Sequence, residues 1–347
     1  MSELSPSVSE AELLARLSSL GARMAQGGEG ATIFVHAQDS TPGAETVADA
    51  APRARIIEHN SYDGLPDLLA KTRPDACLSY RFGPGYPRAP LVDGPDRPAY
   101  VHVAGTGFDH LLPFAPERVM VGNSAGFQAG VMADYALAAV LAINIDLRVF
   151  AAQQAKRQWA GRSLCGAHGQ RAVVFGIGPI GAAIATLLSA AGLSVTGISR
   201  SGRSDPAFRE VVAASDLASV VPTVDHLVVA IPLTDETRGL VSAEVLGALP
   251  RGAGVVNLAR GGIVDEAALL ACLQSGELRG AVFDVFETEP LLVDTRLWDA
   301  PGMLITPHTS ALFDGWEAAA AEVFRDNLRR IGSGAQIANR IDPFRGY

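Results

Sequence analysis

Short, β-branched apolar runs alternate along the chain with longer Ala- and Leu-rich stretches whose apolar positions recur at helical spacing. Ala31–Val35, Leu193–Ile198, Leu227–Ile231, Val255–Leu258 and Ala281–Val285 are apolar almost throughout, and each predicts a strand covered on both faces. Strands of this kind alternating with helices are the pattern of βαβ units and parallel sheets, so the chain reads as α/β. Gly130–Gln158 reads as one long helical segment, with a domain transition near it. Trp316, Ala319, Ala320, Val323 and Leu328 recur at helical spacing within Asp314–Ile331 and predict a last helix that packs back on an earlier part of the chain. Between Phe82 and Pro98, Gly83-Pro84-Gly85 and Pro95-Asp96-Arg97-Pro98 break regular structure and predict a long loop.

Composition narrows the picture. The 347 residues, 48% of them apolar, suffice for two domains with separate cores. A net charge of −9 repels phosphate backbones and anionic lipid, which argues against nucleic acid or a membrane as partner. Cys77, Cys165 and Cys272 are odd in number and widely spaced, which fits neither a disulfide framework nor a zinc site, and the dispersed histidines form no metal-ligand grouping. The first twenty residues show no basic-then-apolar run, and the apolar window Ala129–Ile145 is interrupted by Asp134, so the reading is a cytoplasmic protein.

The sharpest local feature is Ala172-Val173-Val174-Phe175-Gly176-Ile177-Gly178-Pro179-Ile180-Gly181, a strand running through G-x-G-x-x-G into a helix. Gly176 permits the tight turn, Gly178 leaves room for a pyrophosphate, Gly181 lets the helix approach the strand, and Pro179 and Ile180 complete a helix N-terminus that attracts anions. The next strand ends at Ser199-Arg200-Ser201-Gly202-Arg203, with Arg200 standing 19 residues beyond Gly181, where an acid would grip the ribose of NAD. Arg200, Ser201 and Arg203 instead offer cations and a hydroxyl to a 2′-phosphate, so the expected cofactor is NADP(H), with NAD(H) the weaker alternative.

Further on come Ile231-Pro232-Leu233-Thr234-Asp235-Glu236-Thr237-Arg238, Asn257-Leu258-Ala259-Arg260-Gly261-Gly262, Asp284-Val285-Phe286-Glu287-Thr288-Glu289-Pro290 and Thr306-Pro307-His308. In this order the motifs resemble those of the D-isomer-specific 2-hydroxyacid dehydrogenase family, from about Val101 to the last helix. The resemblance implies a Rossmann-type doubly wound parallel sheet domain (120–311) inserted into a smaller flavodoxin-like α/β substrate domain (1–119 and 312–347). It also implies a homodimer, built in part by the helix at Gly130–Gln158 and the loop near Trp159.

Hydride delivery to the carbonyl of a 2-oxo acid builds negative charge on oxygen beside a carboxylate, so the site needs a fixed cation and a proton donor. Arg260 fits the cation, because its planar fork can hold a carboxylate and polarise a ketone. His308 fits the acid, and a neighbouring carboxylate would stabilise its imidazolium and fix its ring. Glu287 and Glu289 both lie in the right segment; the family's spacing selects Glu289, 29 residues after Arg260. By the same resemblance Asp284 faces the nicotinamide carboxamide, and Pro232 and Thr237 line the cofactor.

Upstream, Gly105, Thr106 and Gly107 form a short loop whose backbone N–H groups can cradle a substrate carboxylate. Arg81 follows a strand in a second loop, where it can contact the substrate. With its Arg-containing cofactor loop and compact tail the chain resembles the glyoxylate/hydroxypyruvate reductase branch, which implies reduction of glyoxylate and hydroxypyruvate to glycolate and D-glycerate. A dinucleotide-sensing, corepressor-like binding protein and a reductase of larger 2-oxo acids are the alternatives.

Overall fold

The computed structural model describes residues 10–37, 45–81 and 86–344. Two compact units emerge, one made of residues 1–127 with 314–347 and the other of 128–313.

The first unit is built on a five-stranded parallel sheet. Its strands are β1 (Thr32–His36), β2 (Arg55–His59), β3 (Ala76–Ser79), β4 (Tyr100–Val103) and β5 (Met120–Asn123), in the order β2-β1-β3-β4-β5. Helix α1 (Glu10–Met24) precedes β1, and α2 (Glu45–Ala48), α3 (Leu65–Thr72) and α4 (Arg88–Val92) connect the strands up to β4. One face of the sheet is covered by Leu20 and Met24 of α1 together with Ala320, Phe324, Leu328 and Ile331 of the last helix, Trp316–Gly332. The periodicity of that helix explains the pairing: its apolar stripe is buried, while Asp326 and Arg330 on its outer side form an ion pair at 2.9 Å. The stretch expected as a loop from Phe82 to Pro98 contains α4, because Leu91 and Val92 are fully buried and their packing overrides the flanking prolines. Gly83-Pro84-Gly85 lies outside the described residues. β5 pairs with β4, so the first unit runs past it to residue 127 rather than stopping at 119.

The second unit carries seven parallel strands: β6 (Arg171–Phe175), β7 (Ser194–Ser199), β8 (Glu210–Ala213), β9 (His226–Val229), β10 (Ala253–Asn257), β11 (Leu278–Phe283) and β12 (Met303–Ile305). Their order is β12-β11-β10-β9-β6-β7-β8. Helices α5 (Ala129–Ile145), α6 (Leu147–Ala155), α7 (Pro179–Ala190), α8 (Leu217–Val220), α9 (Ala243–Ala248) and α10 (Glu266–Ser275) complete it, and the last helix, Trp316–Gly332, is α11 of the first unit. Apolar layers lie on both sheet faces: Met132, Ala136, Val140, Ile184 and Leu188 of α5 and α7 on one, Leu246, Leu269 and Leu273 of α9 and α10 on the other. This is why the strand sequences are continuous runs of Val, Ile and Ala. The single helix expected over Gly130–Gln158 is two helices bent by 66°, because Asp146 takes a left-handed conformation (φ 57°) and ends α5. Among the described residues no single helix is long and apolar enough to cross a membrane.

Candidate active site

β6 lies between β9 and β7, where the strand order reverses, and the glycine turn leads from its end into α7. Doubly wound sheets open a crevice at this point. Packing requires two of the three glycines and leaves the third open. Gly176 sits at φ 103°, and a Cβ there would meet the Ala230 carbonyl oxygen at 2.5 Å. A Cβ on Gly181 would stand 1.9 Å from the Gly176 carbonyl oxygen, so α7 reaches β6 only without one. At Gly178 a Cβ meets nothing within 4 Å: the protein itself does not demand glycine there, and the open space fits a group that arrives from outside. Pro179 opens the helix where an N–H is dispensable, and Ile180 packs partly against the apolar layer under α7. These residues fit a dinucleotide pyrophosphate. Gly181→Ala is therefore expected to lower stability by roughly 1–3 kcal/mol or more, whereas Gly178→Ala should leave thermal melting unchanged and weaken dinucleotide binding. Melting curves with and without dinucleotide separate the two.

Arg200, Ser201 and Arg203 lie exposed on the loop after β7. Arg200 Nη2 is 3.3 Å from Glu236 Oε2, an acid the sequence reading did not weigh. Both side chains are largely exposed, so the pair is worth roughly 0–1 kcal/mol and yields readily to a stronger anion. Thr237 and Pro232 meet each other: the Thr237 hydroxyl donates to the Pro232 carbonyl at 2.7 Å and accepts the Thr234 N–H at 2.7 Å, which closes their loop.

Arg260, Glu289 and His308 follow the ends of β10, β11 and β12. His308 Nδ1 donates to Glu289 Oε2 at 2.8 Å, and Glu289 Oε1 accepts the Phe286 N–H at 2.9 Å, so both carboxylate oxygens are held. A carboxylate only accepts, which places a proton on Nδ1 and leaves Nε2 as the nitrogen able to pass one on. Burial pushes the Glu289 carboxyl up, but the hydrogen bonds from His308 and the Phe286 N–H and the charges of His308 and Arg260 together hold it below its ordinary value. Arg260 is thus electrostatically coupled to the pair. Its loop lies directly on the Glu289 segment, since a Cβ on Gly261 would stand 2.0 Å from the Phe286 carbonyl carbon. Asn257 braces the same loop by donating to the Arg260 carbonyl at 3.1 Å and accepting the Ala259 N–H at 3.1 Å.

Asp284, read from the sequence as facing the carboxamide, is 1% exposed and is engaged by the turn that carries His308. Its Oδ1 accepts the Thr309 N–H at 2.8 Å and the Thr306 hydroxyl at 2.5 Å, its Oδ2 accepts the Ser310 N–H at 2.8 Å, and its carbonyl accepts the His308 N–H at 2.8 Å. Because the Thr306 proton goes to a carboxylate, the Tyr135 hydroxyl must be the donor in its 2.5 Å contact with Thr306; burial pushes that phenol up to about 12, so it keeps its proton. His308 itself sits at φ 53°, a conformation an imidazole residue holds only when its surroundings fix it. Glu266, not singled out from the sequence, stands behind the pair. It accepts the Glu287 N–H at 2.7 Å, and burial, followed by the nearby Glu287 and Glu289, pushes its carboxyl up although that hydrogen bond pulls it down. Its only sequence signal was its position six residues after Arg260.

In the first unit, Gly105, Thr106 and Gly107 follow β4. A Cβ on Gly105 would meet only the Gly107 nitrogen, at 3.9 Å, so packing does not dictate that glycine either. Arg81 is committed to its own neighbourhood. Its Nε donates to the Ala37 carbonyl at 2.8 Å, its Nη2 donates to the Asn60 carbonyl, and its guanidinium lies 5.1 Å from the centre of the Tyr62 ring. It ties three strand ends together rather than standing free for a substrate.

Comparison with known proteins adds to this geometry. The model of the D-isomer specific 2-hydroxyacid dehydrogenase NAD binding domain matches residues 137–310. A glyoxylate/hydroxypyruvate reductase A of Salmonella choleraesuis is 37% identical over 174 residues, which are 50% of this chain and 55% of that protein. The chain thus spans about half the length of the curated relatives it matches. A D-isomer specific 2-hydroxyacid dehydrogenase from Xanthobacter autotrophicus, solved with NADPH and MES, is 32% identical with a TM-score of 0.77, covering 91% of this chain and 99% of that one. An NADPH-dependent glyoxylate/hydroxypyruvate reductase from Sinorhizobium meliloti, solved with NADP and sulfate, is 27% identical with a TM-score of 0.77, covering 91% of this chain and 100% of that one. The chain therefore belongs to the D-isomer specific 2-hydroxyacid dehydrogenase family and resembles its glyoxylate/hydroxypyruvate reductase branch.

Proposed function

We propose that the protein reduces small 2-oxo acids, glyoxylate and hydroxypyruvate first among them, to the corresponding D-2-hydroxy acids with NADPH. The observation that carries this reading is the His308–Glu289 hydrogen bond, with Arg260 electrostatically coupled to it at the ends of three successive strands. In this reading Gly176, Gly178 and Gly181 with the α7 N-terminus hold the pyrophosphate, and Arg200, Ser201 and Arg203 hold the 2′-phosphate. Pro232 and Thr237 shape the loop beside the cofactor, and Asp284 fixes the His308 turn. When bound, the dihydronicotinamide supplies the hydride.

The other steps belong to the chain. The Gly105–Gly107 loop receives the substrate carboxylate, with Arg81 bracing the neighbouring strand ends. Arg260 binds the carboxylate and carbonyl side of the substrate and steadies the charge that grows on oxygen. His308 hands the proton on Nε2 to that oxygen, while Glu289 at Nδ1 stabilises the imidazolium before transfer and holds the ring in line afterwards. The NADPH-bound relatives support the choice of cofactor. Trp159, fully exposed, and Leu164, 57% exposed, support a homodimer, and a cytoplasmic location fits the same reading.

The direct test is NADPH consumption by purified protein against a panel of 2-oxo acids. Turnover greatest with glyoxylate or hydroxypyruvate supports the proposal. Fastest turnover with phenylpyruvate or 2-ketogluconate would mark a reductase of larger acids, and dinucleotide binding without turnover would mark a sensor. Joint replacement of Arg200 and Arg203 by alanine is expected to lower kcat/KM for NADPH by about 10²- to 10⁴-fold, with NADH little affected, since each of two charge-assisted bonds to a phosphate is worth roughly 1.5–3 kcal/mol. A wild-type preference for NADH would overturn the cofactor assignment.

A further inference from the structure

A loop that offers its N–H groups to an anion must dispose of its carbonyls, since buried backbone acceptors are costly unless satisfied. In the first unit, two consecutive residues at the end of β5 take up those of the Gly105–Gly107 loop. Ser124 N–H donates to the Gly105 carbonyl at 3.1 Å as well as to the Val103 carbonyl at 3.1 Å, and Asn123 Nδ2 donates to the Thr106 carbonyl at 2.6 Å. The orientation of the Asn123 amide is not open to choice. Its Oδ1 accepts the Ala125 N–H at 3.1 Å, so the nitrogen must face Thr106.

Behind this clamp runs a buried chain whose proton order is likewise fixed from one end. Ala338 N–H donates to Asn327 Oδ1 at 2.7 Å, so Asn327 Nδ2 donates to the Tyr100 hydroxyl at 2.9 Å. Tyr100 then donates to His102 Nδ1 at 2.7 Å, His102 Nε2 donates to Ser124 Oγ at 2.8 Å, and Ser124 donates to the Ala320 carbonyl at 3.3 Å. Burial depresses the His102 imidazole to about 3, so the ring stays neutral, as this order requires. Every member is satisfied, and Ser124 is held beside β4 by a chain anchored on the Asn327 side chain of α11 and the Ala338 backbone beyond it. Asn123 is 6% exposed and its backbone N–H donates to the Asn339 carbonyl at 3.2 Å, so the residue that holds Thr106 is itself held.

We propose that Asn123, supported by Ser124 and the Tyr100–His102 chain, is a positioning residue for substrate: by fixing the carbonyls of Gly105 and Thr106 it presets the loop that receives the carboxylate of a 2-oxo acid. The proposal rests on the functional reading above. Asn123→Asp keeps the shape and the bond from Ala125 but sets a carboxylate against the Thr106 carbonyl, while Asn123→Ala simply removes the donor.

The test is steady-state kinetics of both variants with glyoxylate, alongside NADPH affinity, melting temperature and binding of oxamate as an unreactive analogue. Asn123→Ala is expected to raise KM for the acid about 10-fold and Asn123→Asp about 100-fold at neutral pH, the range that a lost buried hydrogen bond or an opposed acceptor produces. kcat should fall far less than KM rises, with NADPH affinity unchanged. The Asp variant should recover toward the Ala variant as the pH is lowered and its carboxyl regains a donor proton, a signature that mere loosening of the fold does not produce. An unchanged KM in both variants, or equal losses in KM, NADPH affinity and melting temperature, overturns the proposal while leaving the functional reading intact. A wild-type protein that binds oxamate without turning over any 2-oxo acid, with binding lost in Asn123→Asp, overturns the functional reading and supports the proposal. A wild type that neither turns over nor binds oxamate overturns both.

Discussion

Replacing His308 by asparagine is expected to lower kcat for 2-oxo acid reduction by about 10²- to 10⁴-fold, the contribution of a positioned general acid, while NADPH binding stays as it is. The reason lies in the division of labour around the ring. Nδ1 is committed to Glu289 and Nε2 alone can pass a proton, so an amide in its place keeps the turn and loses the chemistry. The backbone cost should be small, because asparagine tolerates the φ of 53° better than most residues. Glu289→Gln tests the partner. The Glu289 carboxyl is held below its ordinary value, so its contribution to stability is fully present above the unfolded carboxyl value of about 4.3 and is lost as the pH falls through the lower folded value. Melting curves of wild type and Glu289→Gln should therefore differ at neutral pH and draw together in acid. A gap that widens in acid would reverse the sign and remove the pairing argument.

Arg260→Lys is expected to cost about 10²- to 10³-fold in kcat/KM for the 2-oxo acid, the scale on which removal of a preorganised donor to a developing oxyanion is felt. Charge alone does not restore the function, because an ammonium lacks the planar fork that engages a carboxylate and a carbonyl together. The loop around Arg260 is built for rigidity: Asn257 binds it at both ends and Gly261 lies against the Phe286 backbone. The lysine variant should therefore melt like the wild type. Measured kcat/KM for the acid, with NADPH affinity as control, checks the expectation; a loss confined to NADPH affinity would move Arg260 out of the substrate site.

What the sequence revealed and what it concealed follow from the range of the interactions involved. The five apolar runs correspond to β1, β7, β9, β10 and β11 because strands buried on both faces have no polar side to blur the signal. β2, with Arg55 and Glu58 at the sheet edge, and β12, three residues long, carry too little pattern to stand out. The break at Asp146 was hidden because α5 and α6 are both rich in Ala, and one left-handed residue leaves no periodic trace. The glycine turn was legible because its three glycines, two of them required by packing, fall within six residues. The hold of Asp284 on the His308 turn was not legible. The groups that engage its carboxylate, Thr306, Thr309 and Ser310, lie 22 to 26 residues downstream, where only folding brings them together. Arg81 and Asn123 teach the same lesson, since the Ala37, Asn60 and Thr106 carbonyls they hold are backbone groups that no side-chain motif announces.

The central claim, delivery of hydride to the carbonyl carbon of a 2-oxo acid with the proton supplied by the enzyme, is tested most directly by reducing hydroxypyruvate with NADPH carrying deuterium at both hydrogens of nicotinamide C4. The account expects D-glycerate with one deuterium at C2 and none lost to water. L-glycerate, or product with solvent hydrogen at C2, would contradict it.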